Sequence, residues 1–222
     1  MVETDLLQAV KERHSVRQYI RKPVETEKTN ELKTFIDECN RDGNVNFQLV
    51  LNEPKAFDGF MARYGKFSGV ENYVALVGKK GDKAEEIIGY YGAKILLFAQ
   101  TLGLNTCWVA LTYKKIKTAF TVGKGEKLFG LIAVGYGKTQ GVPHKSKSFN
   151  EVCDVKTAET PEWFINGVQT ALLAPTAMNQ QKFCFTLNAD NSVSAKAKSG
   201  FYTKTDLGIA KYFFELGAGK KI

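Results

Sequence analysis

Apolar positions recur along this chain in two rhythms. Leu6, Leu7 and Val10 fall at helical spacing over residues 3–12, with Thr4 or Asp5 placed to cap that segment. Leu32, Phe35 and Ile36 share one face of a second helix running through Glu31–Cys39; Pro23 precedes it and Thr26 opens a capping pattern. Asn40-Arg41-Asp42-Gly43-Asn44 reads as a turn. Phe47–Asn52 and Tyr73–Val77 are apolar, β-prone runs bounded by turn residues, so both are predicted strands. Residues 54–70 between them read as loop with some helix. From Glu85 to Leu102 apolar residues cover more than one helical face, which predicts a deeply buried helix stopped by Gly103. Thr106–Leu111 is a short apolar segment, Leu128–Tyr136 a strand, and Gly137–Ser148 a basic loop. Pro161–Leu173 and Asp206–Leu216 are predicted helices with a strand, Phe183–Asn188, between them. Both parts of the chain show a helix, a strand ending Leu-Asn and an apolar helix. Ala210-Lys211 parallels Ala93-Lys94. This weak repeat suggests an internal duplication.

The mixture of helices and strands gives an α+β class. With 222 residues, 44% of them hydrophobic, the chain is long enough for one sizeable core. We expect a single compact domain over 1–222, with pseudo-repeat halves 1–154 and 155–222. Cys39, Cys107, Cys153 and Cys184 are widely spaced and form no CxxC pair, so they read as reduced thiols. The first residues lack an apolar leader, and no apolar run is long enough for a bilayer. These features point to a cytoplasmic protein without a membrane partner. His14 and His144 are the only histidines, and neither sits in a metal-ligand cluster. The formal net charge of +8 suits an anionic ligand or a polyanion. Its lysines and arginines are spread out rather than striped with aromatics, which argues against nucleic acid.

One stretch concentrates the charge into a usable pattern. In Arg13-His14-Ser15-Val16-Arg17, two guanidiniums and a hydroxyl alternate. In extended backbone, residues at i, i+2 and i+4 share a face. Arg13, Ser15 and Arg17 would then surround a phosphate with charge-assisted hydrogen bonds. The alternative is a solvated basic turn at a helix end.

The chain resembles the nitroreductase family of FMN flavoproteins at several points. Arg13–Arg17 matches the family's basic-Ser-x-basic turn. Ala174-Pro175-Thr176-Ala177-Met178-Asn179-Gln180-Gln181-Lys182-Phe183 is similar to its Ala-Pro-Ser-x-x-Asn-x-Gln-Pro-Trp motif, with Thr for Ser, Lys for Pro and Phe for Trp. Leu102–Trp108 resembles the turn that leads past the flavin ring. Ile132–Tyr136 and His144–Lys147 resemble the strand and basic loop that close the family's site. The resemblance implies a central, mostly antiparallel sheet flanked by helices. It also exposes a departure. The Asn-x-Gln motif normally follows the basic turn by a few tens of residues, whereas here it lies at 174–183. Family members are usually homodimers in which this segment serves the partner's flavin. A duplicated and fused pseudo-dimer, similar to a small subgroup of the family, would explain the order. Such a chain is a monomer with one composite site; the ancestral arrangement is a homodimer.

The resemblance implies FMN as cofactor and NADH or NADPH as donor. It assigns the phosphate and ribityl chain to Arg13, His14 (through its backbone), Ser15, Lys145 and Lys147, and the N1–C2 edge to Arg17. The backbone at Val109, Ala110 and Leu111 would pass N5. Pro175, Thr176, Ala177 and Asn179 would form a flat wall, with Gln181 behind it. The flavin carries the chemistry, so no catalytic side chain is assigned. The implied activity is hydride transfer from NAD(P)H to a small electron-poor acceptor, nitroaromatic or quinone-like, with ping-pong kinetics. Two alternatives remain at this point: a flavin-fragmenting or dehalogenating relative, and a basic polyanion-binding module without flavin.

Overall fold

The computed structural model describes residues 3–155, 157 and 159–222; of Glu3 and Thr4 only the backbone is described. Two compact units emerge, Glu12–Ala84 with Lys94–Pro143, and Met1–Lys11 with Glu85–Ala93 and His144–Ile222. Helix α1 is Glu3–Glu12. Asp5 therefore lies inside the helix rather than ahead of it, and the side chain of Thr4 lies outside the described residues.

The first unit is built on four antiparallel strands. These are β1 (Asn46–Val50), β2 (Asn72–Lys79), β3 (Asn105–Val109) and β4 (Glu126–Gly135), in the order β1-β2-β4-β3. β2 is central, and Tyr73 through Val77 are fully buried, which explains its continuous apolar run. One face of the sheet, with Tyr73, Ala75, Val77, Cys107, Val109, Leu131 and Ala133, packs against Val16, Tyr19, Phe57 and Phe67. Helix α2 (Thr26–Gly43) meets β1, where Asn40 both donates to the Phe47 carbonyl (2.9 Å) and accepts its N–H (2.7 Å). The predicted turn at Asn40–Asn44 is thus mostly helix, and the stop is Asn44 in the left-handed region. Thr26 is the first helical residue and caps nothing, because Glu25 occupies the cap position. A short helix, α3 (Phe60–Tyr64), lies in the connection between β1 and β2.

The second unit holds a smaller sheet. β5 (Cys153–Val155) runs parallel to β6 (Phe183–Leu187), which pairs antiparallel with β7 (Val193–Ala197). β5, β7 and the short helix α5 (Phe149–Val152) were not foreseen, being short and only partly apolar. Helices α6 (Glu162–Ala171) and α7 (Thr203–Ala218) pack together over fully buried Phe164, Phe183, Phe185, Phe213 and Phe214. Phe185 and Phe214 stack with centroids 4.5 Å apart.

Helix α4 (Ala84–Thr101) contributes residues to both units. Within the second, its Glu85–Ala93 segment crosses α7 at very close range. A Cβ on Gly89 would stand 2.1 Å from the Thr205 carbonyl oxygen and 3.1 Å from the Ile209 nitrogen. A Cβ on Gly208 would stand 2.0 Å from the Glu86 carbonyl oxygen and 2.8 Å from the Tyr90 nitrogen. Each glycine meets the carbonyl three residues before, and the amide one residue after, the other glycine. The contact is therefore reciprocal, with a two-fold axis local to the two crossing helices. On that axis Gly208 corresponds to Gly89, so Ala210 corresponds to Tyr91 and not to Ala93. The Ala-Lys match is therefore out of register by two residues, about 200° of helix rotation.

All four cysteines are free. Among the described residues no helix is long and apolar enough to cross a membrane, and no cluster of His, Cys, Asp and Glu could hold a metal.

Candidate functional site

The predicted site residues fall into two local assemblies, one in each unit. In the first, the end of α1 releases the chain at Arg13, and the segment runs alongside β3. Ser15 forms a parallel bridge with Thr106, and the Val16 N–H donates to the Thr106 carbonyl at 3.0 Å. Further on, Tyr19 N–H donates to the Ser68 carbonyl (2.9 Å), and the Tyr19 hydroxyl reaches the Ala133 carbonyl (3.4 Å). Val16 and Tyr19 are buried in the core, which anchors the turn on one side.

Burial pushes the Cys107 thiol of β3 up, and Arg17, Arg13 and a hydrogen bond with Ser15 oppose it, so all three residues lie near that thiol. The three differ in exposure: Arg13 is 3% exposed, Ser15 half-buried and Arg17 exposed. Burial pushes the Arg13 guanidinium down to about 10, with Cys107 opposing. Three atoms here are buried without a hydrogen-bond partner: Arg13 Nε, Arg13 Nη1 and Thr106 Oγ1. Native structures rarely leave such groups unpaired without a reason such as a catalytic role or a bound ion.

The loop after β4 covers this turn. Gly141 has φ of +79°, and a Cβ there would stand 2.7 Å from His14 Cβ. Asn105 pins the loop, accepting from the Gly137 N–H and donating to the Gln140 side chain, both at 2.8 Å. Val109 closes β3, Ala110 is half-buried, and Leu111 beyond it is 66% exposed.

The second assembly joins the basic loop to the Pro175–Gln181 segment, as the motifs require. Asn179 Nδ2 donates to the Lys145 carbonyl at 2.7 Å, and Gln181 Nε2 donates to the same oxygen at 3.1 Å. Gln181 Nε2 also donates to Asn179 Oδ1 (2.9 Å), and Gln181 Oε1 accepts from the Lys147 N–H (2.8 Å). Lys147 Nζ reaches the Gln181 carbonyl at 3.3 Å. The Thr176 hydroxyl accepts from the Gln181 N–H at 3.0 Å. His144 and Ser146 both contact the Leu172 carbonyl, at 2.8 and 3.2 Å. Pro175, Thr176 and Ala177 are half-buried, Asn179 is exposed, and Gln181 is buried as the hub of the network.

This segment is bent hard. Met178, Asn179 and Gln181 have φ of 50°, 54° and 45°, in the left-handed region. Asparagine tolerates that conformation; methionine and glutamine do so at a cost of about 1–2 kcal/mol each. A residue missed by sequence reasoning holds the bend. Asp206, in the first turn of α7, accepts from the Ala177 N–H (2.9 Å) and from Gln180 Nε2 (2.7 Å). Burial pushes the Asp206 carboxyl up to about 6, against the opposing pull of those two donors. Thr106 was also missed as a site residue; only its orphaned hydroxyl marks it.

The sequence model of the family described as putative TM nitroreductase matches residues 5–218. No curated protein matches the chain. Among solved structures, a putative nitroreductase from Thermotoga maritima is similar over 100% of this chain and 88% of its own, with TM-score 0.71 and 19% identity. A putative nitroreductase in complex with FMN from Desulfovibrio desulfuricans is similar over 70% of this chain and 96% of its own, with TM-score 0.53 and 18% identity. A third, from Parabacteroides distasonis, is described as a putative NADH dehydrogenase/NAD(P)H nitroreductase. It covers 66% of this chain and 95% of its own, with TM-score 0.52 and 23% identity. The fold is the nitroreductase fold, and with a family match over nearly its whole length the chain belongs to the putative TM nitroreductase family.

Proposed function

We propose that this chain is an FMN-dependent oxidoreductase that takes electrons from NADH or NADPH and passes them to a small electron-poor acceptor such as a nitroaromatic or a quinone. The observation that carries the reading is the orphaned set at the basic turn, Arg13 Nε and Nη1 with Thr106 Oγ1. Buried guanidinium nitrogens without acceptors are costly, and a dianionic phosphate would offset that cost through charge-assisted bonds. Arg13 and Ser15 hold the phosphate and ribityl chain together with the His14 backbone. Exposed Arg17 would supply a cation for the flavin's N1–C2 edge, which favours the reduced, anionic ring, and the backbone from Val109 to Leu111 would serve the N5 side. The motif likeness, rather than geometry, brings Lys145, Lys147, Pro175, Thr176, Ala177, Asn179 and Gln181 to the same cofactor. When bound, FMN supplies the hydride chemistry, with donor and acceptor taking turns on its face. Family membership supports the reading, as do the FMN complex of the Desulfovibrio protein and the name of the Parabacteroides one.

In this reading the chain is a fused pseudo-dimer, working as a cytoplasmic monomer, with halves near 1–154 and 155–222. The reciprocal crossing at Gly89 and Gly208 supports it. So does the length relation, since nearly the whole Desulfovibrio chain overlays only 70% of this one. The test is the visible spectrum of the purified protein with flavin counted per 24.7 kDa chain. A yellow monomer with one FMN per chain, bleached anaerobically by NADH or NADPH, is expected. Colourless protein that refuses added FMN overturns the flavin reading. A dimer that needs both chains for each site overturns the fusion.

A further inference from the structure

We infer that Asp206 is a positioning residue: its ionised carboxylate holds the Ala177–Gln181 bend in shape, and a ligand of that bend binds only while the carboxylate is intact. The charge has no cationic partner. Asp206 is 2% exposed, and its two acceptor oxygens are taken by the Ala177 N–H and Gln180 Nε2. Gln180 Nε2 also donates to the Phe201 carbonyl at 2.7 Å, which fixes the orientation of the amide. The bend itself is strained at Met178 and Gln181, so something must hold it. A buried carboxylate that weakens the fold and pairs with no cation is retained for what it positions.

The requirement for the ionised form follows from donor counting. Both groups that face the carboxylate are N–H donors, so both of its oxygens must accept. A proton on either oxygen sets donor against donor. Gln180 cannot relieve this by flipping, because its oxygen would then face the Phe201 carbonyl. Asparagine at 206 has the same defect in either orientation. No other titrating group enters. On the bend, residues 176–181 carry no charge. On α7, Lys204 is exposed and Lys211 pairs with Glu86 of α4 at 2.6 Å. The ionisation of Asp206 is set by burial and the two donors alone.

For FMN as ligand this rests on the function proposed above; the effect on the bend does not. The test uses full-length protein, with Asp206→Asn and Gln180→Leu variants. FMN is titrated between about pH 5 and 8, and amide hydrogen exchange at 177–181 is followed without flavin. In the wild type, FMN affinity should fall about tenfold, and protection of the Ala177 amide should drop, as pH falls through about 6. Asp206→Asn should bind FMN about tenfold more weakly at neutral pH and show low protection throughout. The second ionisation of the FMN phosphate is common to both proteins and cancels in the difference. In Gln180→Leu one donor is lost, so the midpoint of the protection change should move to higher pH. Identical pH profiles in wild type and Asp206→Asn overturn the inference. So does an unmoved midpoint in Gln180→Leu, which decides the matter if Asp206→Asn fails to fold. Protection that changes as described in a chain that never binds FMN leaves the positioning role standing and removes the flavin.

Discussion

At the Arg13–Arg17 turn the backbone is tied down, while two side-chain nitrogens of Arg13 are not. The Ser15–Thr106 bridge and the Val16 and Tyr19 hydrogen bonds fix its path, while Arg13 keeps two buried nitrogens without acceptors. At the Pro175–Gln181 bend the side chains do the tying. Asn179, Gln180, Gln181 and Asp206 are all engaged with one another or with nearby backbone. The first region is incomplete and stores its cost in unpaired charge. The second is complete and stores its cost in backbone conformation. An incomplete polar site gains most from a ligand; a complete one contributes shape.

That contrast gives different expectations for substitutions in the two regions. Arg13→Met should weaken FMN binding by about 100-fold or more, measured by fluorescence titration, and yet leave the flavin-free protein as stable or more stable, because an unpaired buried charge disappears. A loss of both together would erase the distinction. The next effect is on pH dependence. The carboxyl of Asp206 is raised in the folded state, from 3.8 to about 6. Relative to the unfolded chain, burial makes its contribution to stability fully present below 3.8 and lost as pH rises through 6, on the order of 3 kcal/mol; the two bend donors pull the opposite way, so the protonation that raises overall stability still loosens the bend. Urea unfolding across that window should show this slope in wild type and not in Asp206→Asn. Gly208→Ala drives a methyl against the Glu86 carbonyl and should cost about 2 kcal/mol in thermal unfolding. Asn179→Ala removes a brace of the Lys145 loop and should weaken FMN about five- to tenfold, roughly 1 kcal/mol. Smallest of all, Thr106→Val should stabilise the flavin-free protein by up to about 1 kcal/mol, since its buried hydroxyl has no partner.

Much of this was legible in the sequence because it is local. The apolar runs gave β2, β4 and α4 within a residue or two at most ends. The motif likeness singled out Lys145 and Lys147 for a phosphate and Asn179 and Gln181 for a ring wall, but did not foresee the hydrogen bonds that join the two segments. What escaped depended on distance along the chain. Nothing near Asp206 in the sequence signals a tie to Ala177 and Gln180 some thirty residues earlier. β7 escaped because Val193–Ala197 alternates between half-buried and exposed residues, with only one of them strongly β-prone. The Ala-Lys repeat misled because a short identity carries no information about helix phase. The glycines that define the real crossing sit elsewhere.

The Gly89–Gly208 crossing has a consequence for how such a chain changes over generations. In a true homodimer, one codon change alters both sides of a two-fold contact at once, and every lesion is doubled. In a fused pair the two glycines are separate loci. Each can be lost, kept or compensated alone, so the symmetry decays wherever packing does not enforce it. On the fusion proposed above, the reciprocal contact is a relic held in place by van der Waals exclusion, while the flanking residues, no longer bound to a twin, are free to specialise.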